Sequence, residues 1–173
     1  MTLNAVTNKG LSKTELKIIS KLEFEGKYYF THNDIANLFE NKRQIINTLH
    51  TLSKKKRILR LSKNKYFLVP IKAVSGKWTD NPLILTDEML NSRDYFIGGW
   101  YAAYYWQLTN QVPMQVDIYT TKRQGKATIM NKRFVFHRTT PKNLQKSVIQ
   151  KIEKHTFRIL GEDETKKWIK SKR

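Results

Sequence analysis

The sequence has no cysteine among its 173 residues, so disulfides and thiolate metal sites are excluded. That absence fits a reducing, cytoplasmic setting. No run approaches the roughly 20 apolar residues of a membrane span, and the opening MTLNAVTNKGLSK lacks the apolar core of a signal peptide. No Gly-rich phosphate loop and no nucleophile elbow occur. The four histidines, His32, His50, His137 and His155, are scattered without a ligand-like pair. The expectation is therefore no metal, no cofactor and no enzyme. Asp117 followed by Lys126 is the one feature leaning toward a nuclease. It lacks a second acid in register, and Asp117 reads better as a polar strand residue.

Acidic residues are also scarce. There are 14 Asp and Glu against 33 Lys and Arg, a formal net charge of +19. Such a balance favours a polyanionic partner, most simply nucleic acid; ribosomal, membrane-surface and general solubility roles share the same signature. Residues 1–75 hold 15 basic and 5 acidic side chains, and the remainder 18 and 9. A basic tail on a neutral domain is thereby excluded, because each half can meet a polyanion.

What is present in the first half is a helix-turn-helix pattern. Ser12 and Glu15 have capping-box spacing. Leu16, Ile19 and Leu22, with Ile18 beside them, make an apolar stripe that ends at Gly26. Tyr28–Phe30 reads as a short extended link. Thr31 or Asn33 caps a second, short helix with Ile35, Leu38 and Phe39. A polar turn at residues 40–42 leads to a third helix over about 42–55, with Ile45, Leu49 and Leu52 on one face and Ile46 at its edge. In RILRLSKNKYFLVP, residues 57–70, two β-prone runs flank a polar turn. Together these predict a winged helix-turn-helix over residues 1–72.

With the apolar face of the third helix inward, Arg43, Asn47, His50 and Lys54 point the other way at 3.6-residue periodicity. Lys42, Gln44, Thr51 and Lys55 complete the expected DNA-reading surface. Arg60, Lys63, Asn64 and Lys65 form the expected wing. Arg and Asn side chains can pair bidentately with base edges, whereas lysines hold phosphates. A solvated helix face is also polar and charged. Here the face follows a short helix and precedes a basic hairpin, which favours DNA contact.

Residues 73–82 collect Ser75, Gly76, Asp80, Asn81 and Pro82 and read as a linker, in which Trp78 is a candidate for docking one domain on the other. Residues 83–173 then read as a small α+β domain with antiparallel strands. A short helix is expected around a Thr86-Asp87-Glu88 start signal. The aromatic stretch YFIGGWYAAYYWQLTNQVP, residues 95–113, is too short and polar for a membrane. It reads as a core helix beginning near Gly98-Gly99 rather than as a base-stacking platform, so Trp100→Ala is expected to unfold this half. Runs over 115–123 and 127–136 are expected to pair antiparallel around a basic turn. Lys122, Arg123, Lys126, Lys132, Arg133 and Arg138 are candidates for a second nucleic-acid surface, with a solvated hairpin as the alternative. From Pro141 a basic helix with Leu144, Val148, Ile152, His155 and Ile159 is expected, ended by Gly161 and followed by a charged tail.

At YFIGGWYAAYYWQLTNQVP, VDIYTTKR and RFVFHR the sequence resembles the AbiEi family, antitoxins and transcriptional repressors of type IV toxin–antitoxin systems. The counterparts of the family's motifs are Tyr95–Ala103, Leu108–Pro113 and Thr120–Arg123, and the likeness covers about residues 12–138. It implies an N-terminal winged helix that binds promoter repeats in double-stranded DNA and represses its own operon. It also implies a second domain that opposes a nucleotidyltransferase-like toxin functionally, without a stable complex and without being an enzyme. Many members continue after the RFVFHR strand with more strand and helix, where this chain reads as a basic helix and tail. The alternative function is a basic RNA-binding or protein-interaction module on the same scaffold.

Overall fold

The computed structural model describes residues 10–71, 81–152 and 155–172. Residues 73–80 of the expected linker, Trp78 included, lie outside them. The chain is α+β, with seven α-helices and two sheets among the described residues, and divides into two compact units, Met1–Trp78 and Thr79–Arg173.

The first unit opens with α1, Lys13–Phe24. Ser12 Oγ accepts the Glu15 N–H at 3.2 Å, and the Glu15 carboxylate accepts the Ser12 N–H at 2.6 Å. Two orphan donors of the helix start are thus satisfied reciprocally. The helix ends at Gly26, whose φ of 62° places it in the left-handed region. The Lys27 N–H then reaches back to the Leu22 carbonyl at 2.8 Å, and the Gly26 N–H to that of Glu23 at 3.0 Å, which satisfies two of the helix's last carbonyls. Ile18, Ile19 and Leu22 are fully buried, whereas Leu16, expected in the stripe, is 48% exposed. The inward face lies over Ile18 instead.

Next come β1, Tyr29–Phe30, the one-turn helix α2, His32–Ile35, and a 3-10 turn, Ala36–Leu38. The Asp34 carboxylate accepts the Thr31 N–H at 2.6 Å and the Thr31 hydroxyl at 2.8 Å. It also pairs with Lys27 at 2.6 Å. Burial pushes the Asp34 pKa up, but the Lys27 ammonium and the Thr31 donors outweigh it and lower it to about 2. A longer helix follows, α3, Lys42–Lys54, capped by Asn41, which accepts the Gln44 N–H at 3.0 Å. Then β2, Ile58–Arg60, and β3, Tyr66–Leu68, form an antiparallel hairpin. The sheet order is β1-β3-β2, because β1 pairs antiparallel with β3. Ile45, Leu49 and Leu52 of α3 meet Ile18, Ile19 and Leu22 of α1, with Phe30, Ile35, Ile58 and Leu68, in one core.

The second unit starts with α4, Pro82–Leu90, capped by the Asn81 side chain with Pro82 in its first turn. It thus begins four residues before the expected signal at Thr86. Six strands follow in the order β6-β7-β5-β4-β9-β8. They are β4, Tyr95–Gly98; β5, Gln115–Thr120; β6, Gly125–Ile129; β7, Lys132–Arg138; β8, Ser147–Ile152; and β9, His155–Leu160. The helices α5, Gly99–Tyr105, α6, Pro141–Leu144, and α7, Glu162–Lys170, complete the unit.

Three expectations are corrected here. The sheet is mixed: β4–β5, β6–β7 and β8–β9 pair antiparallel, but β4–β9 and β5–β7 pair parallel. The second expected strand is two strands, split at Met130-Asn131. Both of those residues have positive φ, 49° and 63°, as a two-residue hairpin turn of the primed type requires. The third correction is larger. Residues 147–152 and 155–160 are antiparallel strands and not a basic helix, and Gly161 precedes α7 instead of ending a helix. Phe157 and Ile159, two residues apart, are buried, as a strand's period of two demands. The expected tail is thus an ordered helix.

The aromatic stretch is part strand and part helix. Tyr95, Phe96 and Tyr101 are buried with Ala102 and Ala103, whereas Trp100 is 47% exposed and meets Trp168 edge-on at 5.3 Å. Trp100 is therefore no keystone, and its truncation is expected to leave this unit folded. Tyr95 fills that role. Its hydroxyl donates to the buried Asp87 carboxylate at 2.6 Å and accepts the Arg158 N–H at 3.1 Å. Burial and the adjoining carboxylate raise its pKa far above the usual tyrosine range.

Candidate nucleic-acid interface

Helix α3 is amphipathic, and its buried stripe fixes what its other side shows. Lys42, Arg43, Gln44, Asn47, His50, Thr51 and Lys54 are all exposed. The stripe of Ile45, Leu49 and Leu52 leaves Arg43, Asn47, His50 and Lys54 facing away from the core. Among the described residues, the side chains of Arg43, Asn47, His50 and Lys54 make no hydrogen bond or ion pair. They are presented to solvent together, and they combine two cations with an amide and an imidazole. Gln44 and Thr51 are partly used at home: the Gln44 side-chain Oε1 accepts the Glu40 N–H at 3.2 Å, and the Thr51 hydroxyl donates to the Asn47 backbone carbonyl at 3.0 Å.

Lys55 has another task. Its ammonium lies 2.6 Å from Glu15 and 3.0 Å from the Gly10 carbonyl, with the side chain only 16% exposed. It ties the end of α3 to the start of α1. Burial raises the Glu15 pKa, yet Lys55 and Ser12 outweigh that and hold it below the usual carboxylate range. Lys55 is thus placed inside the unit, away from the outward face of α3.

The β2–β3 turn is tight. The Lys65 carbonyl accepts the Leu61 and Ser62 N–H groups at 2.9 and 3.2 Å. Arg60 braces it from below, donating to the Ser62 and Lys63 carbonyls at 3.2 and 3.1 Å. Lys63 and Asn64 stand exposed at the tip, and Lys65 is half-buried. Of the four expected wing residues, Arg60, Lys63 and Asn64 are exposed, and Arg60 also shapes the turn.

The second basic cluster is dispersed by strand geometry. Lys122 pairs with Asp94 at 3.2 Å, and the Arg123 guanidinium lies 3.4 Å from the centre of the Phe136 ring. Burial lowers the Arg123 pKa. Alternation along β7 and its register with β5 and β6 put Lys126 and Arg133 on the side of Asp117, Tyr119 and His137. Lys132 falls with Phe134 and Phe136 on the other. Arg138 ends β7.

One constellation had no signal in the sequence. Phe96, Tyr119 and His137, from three adjacent strands, stack in a row with ring centres 5.0 and 4.8 Å apart. Asp117 is buried beside them, accepting from Gln115 Nε2 at 3.0 Å and paired with His137 Nε2 at 2.8 Å. The Gly98-Gly99 pair permits this. A Cβ on Gly98 would meet the Tyr119 ring at 2.7 Å, and one on Gly99, where φ is 62°, would meet the Asp117 carboxylate at 2.8 Å. Asp117 is thus held by Gln115 and His137, and Lys126 sits two strands away, opposite Val135. Among the described residues, no three His, Asp or Glu side chains gather as a metal site, and no helix is long and apolar enough to cross a membrane.

No curated protein matches the chain. Residues 16–172 match DUF6088, a family of unknown function, and since that span is nearly the whole sequence, the chain belongs to this family.

Proposed function

We propose that the first unit is a winged helix that binds duplex DNA, with α3 reading bases in the major groove and the β2–β3 turn as its wing. The observation that carries this is the outward face of α3, where the side chains of Arg43, Asn47, His50 and Lys54 stand together without hydrogen-bond or ion-pair partners among the described residues. The order helix, strand, short helix, longer helix, hairpin, in a chain of net charge +19, supports it. In this reading the protein is a sequence-specific cytoplasmic repressor that autoregulates its promoter as the antitoxin of a type IV toxin–antitoxin operon. Its second unit opposes a nucleotidyltransferase-like toxin without catalysis of its own. Strands β8 and β9 and helix α7, which follow the RFVFHR strand, are in keeping with this reading.

The test is fluorescence anisotropy on a labelled duplex from upstream of the gene and on a scrambled duplex of equal length, over a range of salt. Preferential binding to the first, weakened as salt rises, is expected. Equal affinity for both duplexes would falsify sequence-specific repression.

A further inference from the structure

A cavity of about 490 Å³ opens in the second unit, and none of the residues lining it is among those assigned to duplex DNA above. Its floor is the Phe96–Tyr119 end of the aromatic row, and α7 contributes Trp168 and Lys167. Arg138, at the end of β7, and Lys146, just before β8, line it as well. The volume falls within the range of roughly 300–1,000 Å³ found for small-molecule sites.

The chemistry of the lining is two-sided. Trp168 provides an aromatic surface of the kind on which a planar heterocycle stacks, beside the floor formed by Phe96 and Tyr119. Three cations share the wall with one acid, Glu164. That carboxylate lies 2.6 Å from Lys167 and 3.8 Å from Lys146, which leaves the wall with a surplus of positive charge. Among the described residues, the Arg138 guanidinium has no hydrogen-bond or ion-pair partner, and its forked donors suit a phosphate. Asn143 adds an amide, the group that pairs with base edges, and donates to the Thr139 hydroxyl at 3.3 Å. An aromatic wall, a net positive charge and a mononucleotide-sized volume in one cavity ask for a base joined to a phosphate.

We infer that this cavity binds a phosphorylated nucleoside, stacked against Trp168 with its phosphate on Arg138. Two sources share that chemistry: a free nucleotide and the terminal nucleotide of a single strand. The site does not depend on α3, so duplex binding and nucleotide binding fail or succeed separately.

Titration calorimetry on the full chain separates the outcomes. The probes are the four nucleoside 5′-monophosphates, adenosine and guanosine, inorganic phosphate, and a 5′-phosphorylated single-stranded hexanucleotide. Saturable binding of at least one monophosphate is expected, with the nucleosides and phosphate weaker by about tenfold or more, the loss of one charge-assisted contact. Arg138→Ala should weaken it by a similar factor with an unchanged melting temperature, since Arg138 is exposed. Trp168→Leu should weaken stacking while Trp168→Phe restores it. Binding of the hexanucleotide alone, lost in Arg138→Ala, assigns the site to strand ends. If no probe binds, or if binding survives both Arg138→Ala and Trp168→Leu, the inference is overturned.

Discussion

The two basic regions of this molecule carry similar side chains and use them differently. On α3 a period of 3.6 residues gathers Arg43, Asn47, His50 and Lys54 on one side, with the core on the other. On β5–β7 a period of two divides the cations: Lys126 and Arg133 fall beside Tyr119 and His137, Lys132 beside Phe134 and Phe136. Lys122 and Arg123 are occupied by Asp94 and the Phe136 ring. Net charge alone does not make an interface. The backbone period decides whether equal numbers of cations form one surface or several.

The sharpest way to break this comparison is to disturb a cation that the first unit uses internally. Lys55→Met strands the nearly buried Glu15 carboxylate, at a cost of about 3 kcal/mol of unfolding free energy. Adding Glu15→Gln keeps the cap on α1 and should restore most of that. Chemical denaturation reads both, and duplex affinity per folded molecule should be unchanged. If Lys55→Met instead weakens DNA binding with no loss of stability, Lys55 belongs on the interface after all.

Next in size are the outward residues. Arg43→Ala and Asn47→Ala should each reduce affinity for the preferred duplex by about 1–3 kcal/mol while barely changing the scrambled one. Lys54→Glu and Lys63→Glu should weaken both duplexes and flatten the salt dependence by about one unit of slope each. Lys126→Glu with Arg133→Glu is the counterpart in the second unit, and the dispersed geometry predicts no change in duplex affinity. A loss equal to that of Lys54→Glu would show that the sheet also holds duplex DNA.

The same contrast explains what was legible in the sequence. The first unit announces itself because its signals are local. Ser12 and Glu15 form their box within one turn, and Gly26 ends α1 where a positive φ is needed. The stripe of Ile45, Leu49 and Leu52 is strictly periodic. In the second unit the deciding interactions are remote. Residues 147–159 place Val148, Ile152 and Ile159 at helical spacing, yet the β-branched side chains and the partnering of β9 with β4 make them strands. The Met130-Asn131 turn lacks the usual glycine, and so the hairpin went unseen. The row of Phe96, Tyr119 and His137 joins residues up to 41 positions apart through sheet register, which no window of the sequence contains. Lys55 looked like its neighbours because its partner, Glu15, lies 40 residues away.

The smallest expected effect concerns acid, and it again separates the units. The folded-state pKa of Asp34, about 2, lies below its ordinary value of 3.8, so the folded form favours the ionised carboxylate. The stabilisation is fully present above the unfolded value. It is lost as pH falls from about 4 toward 2, on the order of 1 kcal/mol once solvent screening is allowed for. Glu15 acts in the same direction, its pKa also being lowered. Both carboxylates hold helix starts in the first unit. In the second unit the Glu164 carboxylate, also lowered, lies on α7 beside Lys167. Amide NMR spectra recorded from pH 5 to 2.5 should therefore show residues 29–38 shifting and broadening before β4, β5 and β7 do. Asp34→Asn should remove most of that early change, because the amide has no proton to gain and no charge to offer Lys27. If the strands of the second unit respond first, or the Asp34→Asn profile overlays the native one, Asp34 does not hold the start of α2 by its charge.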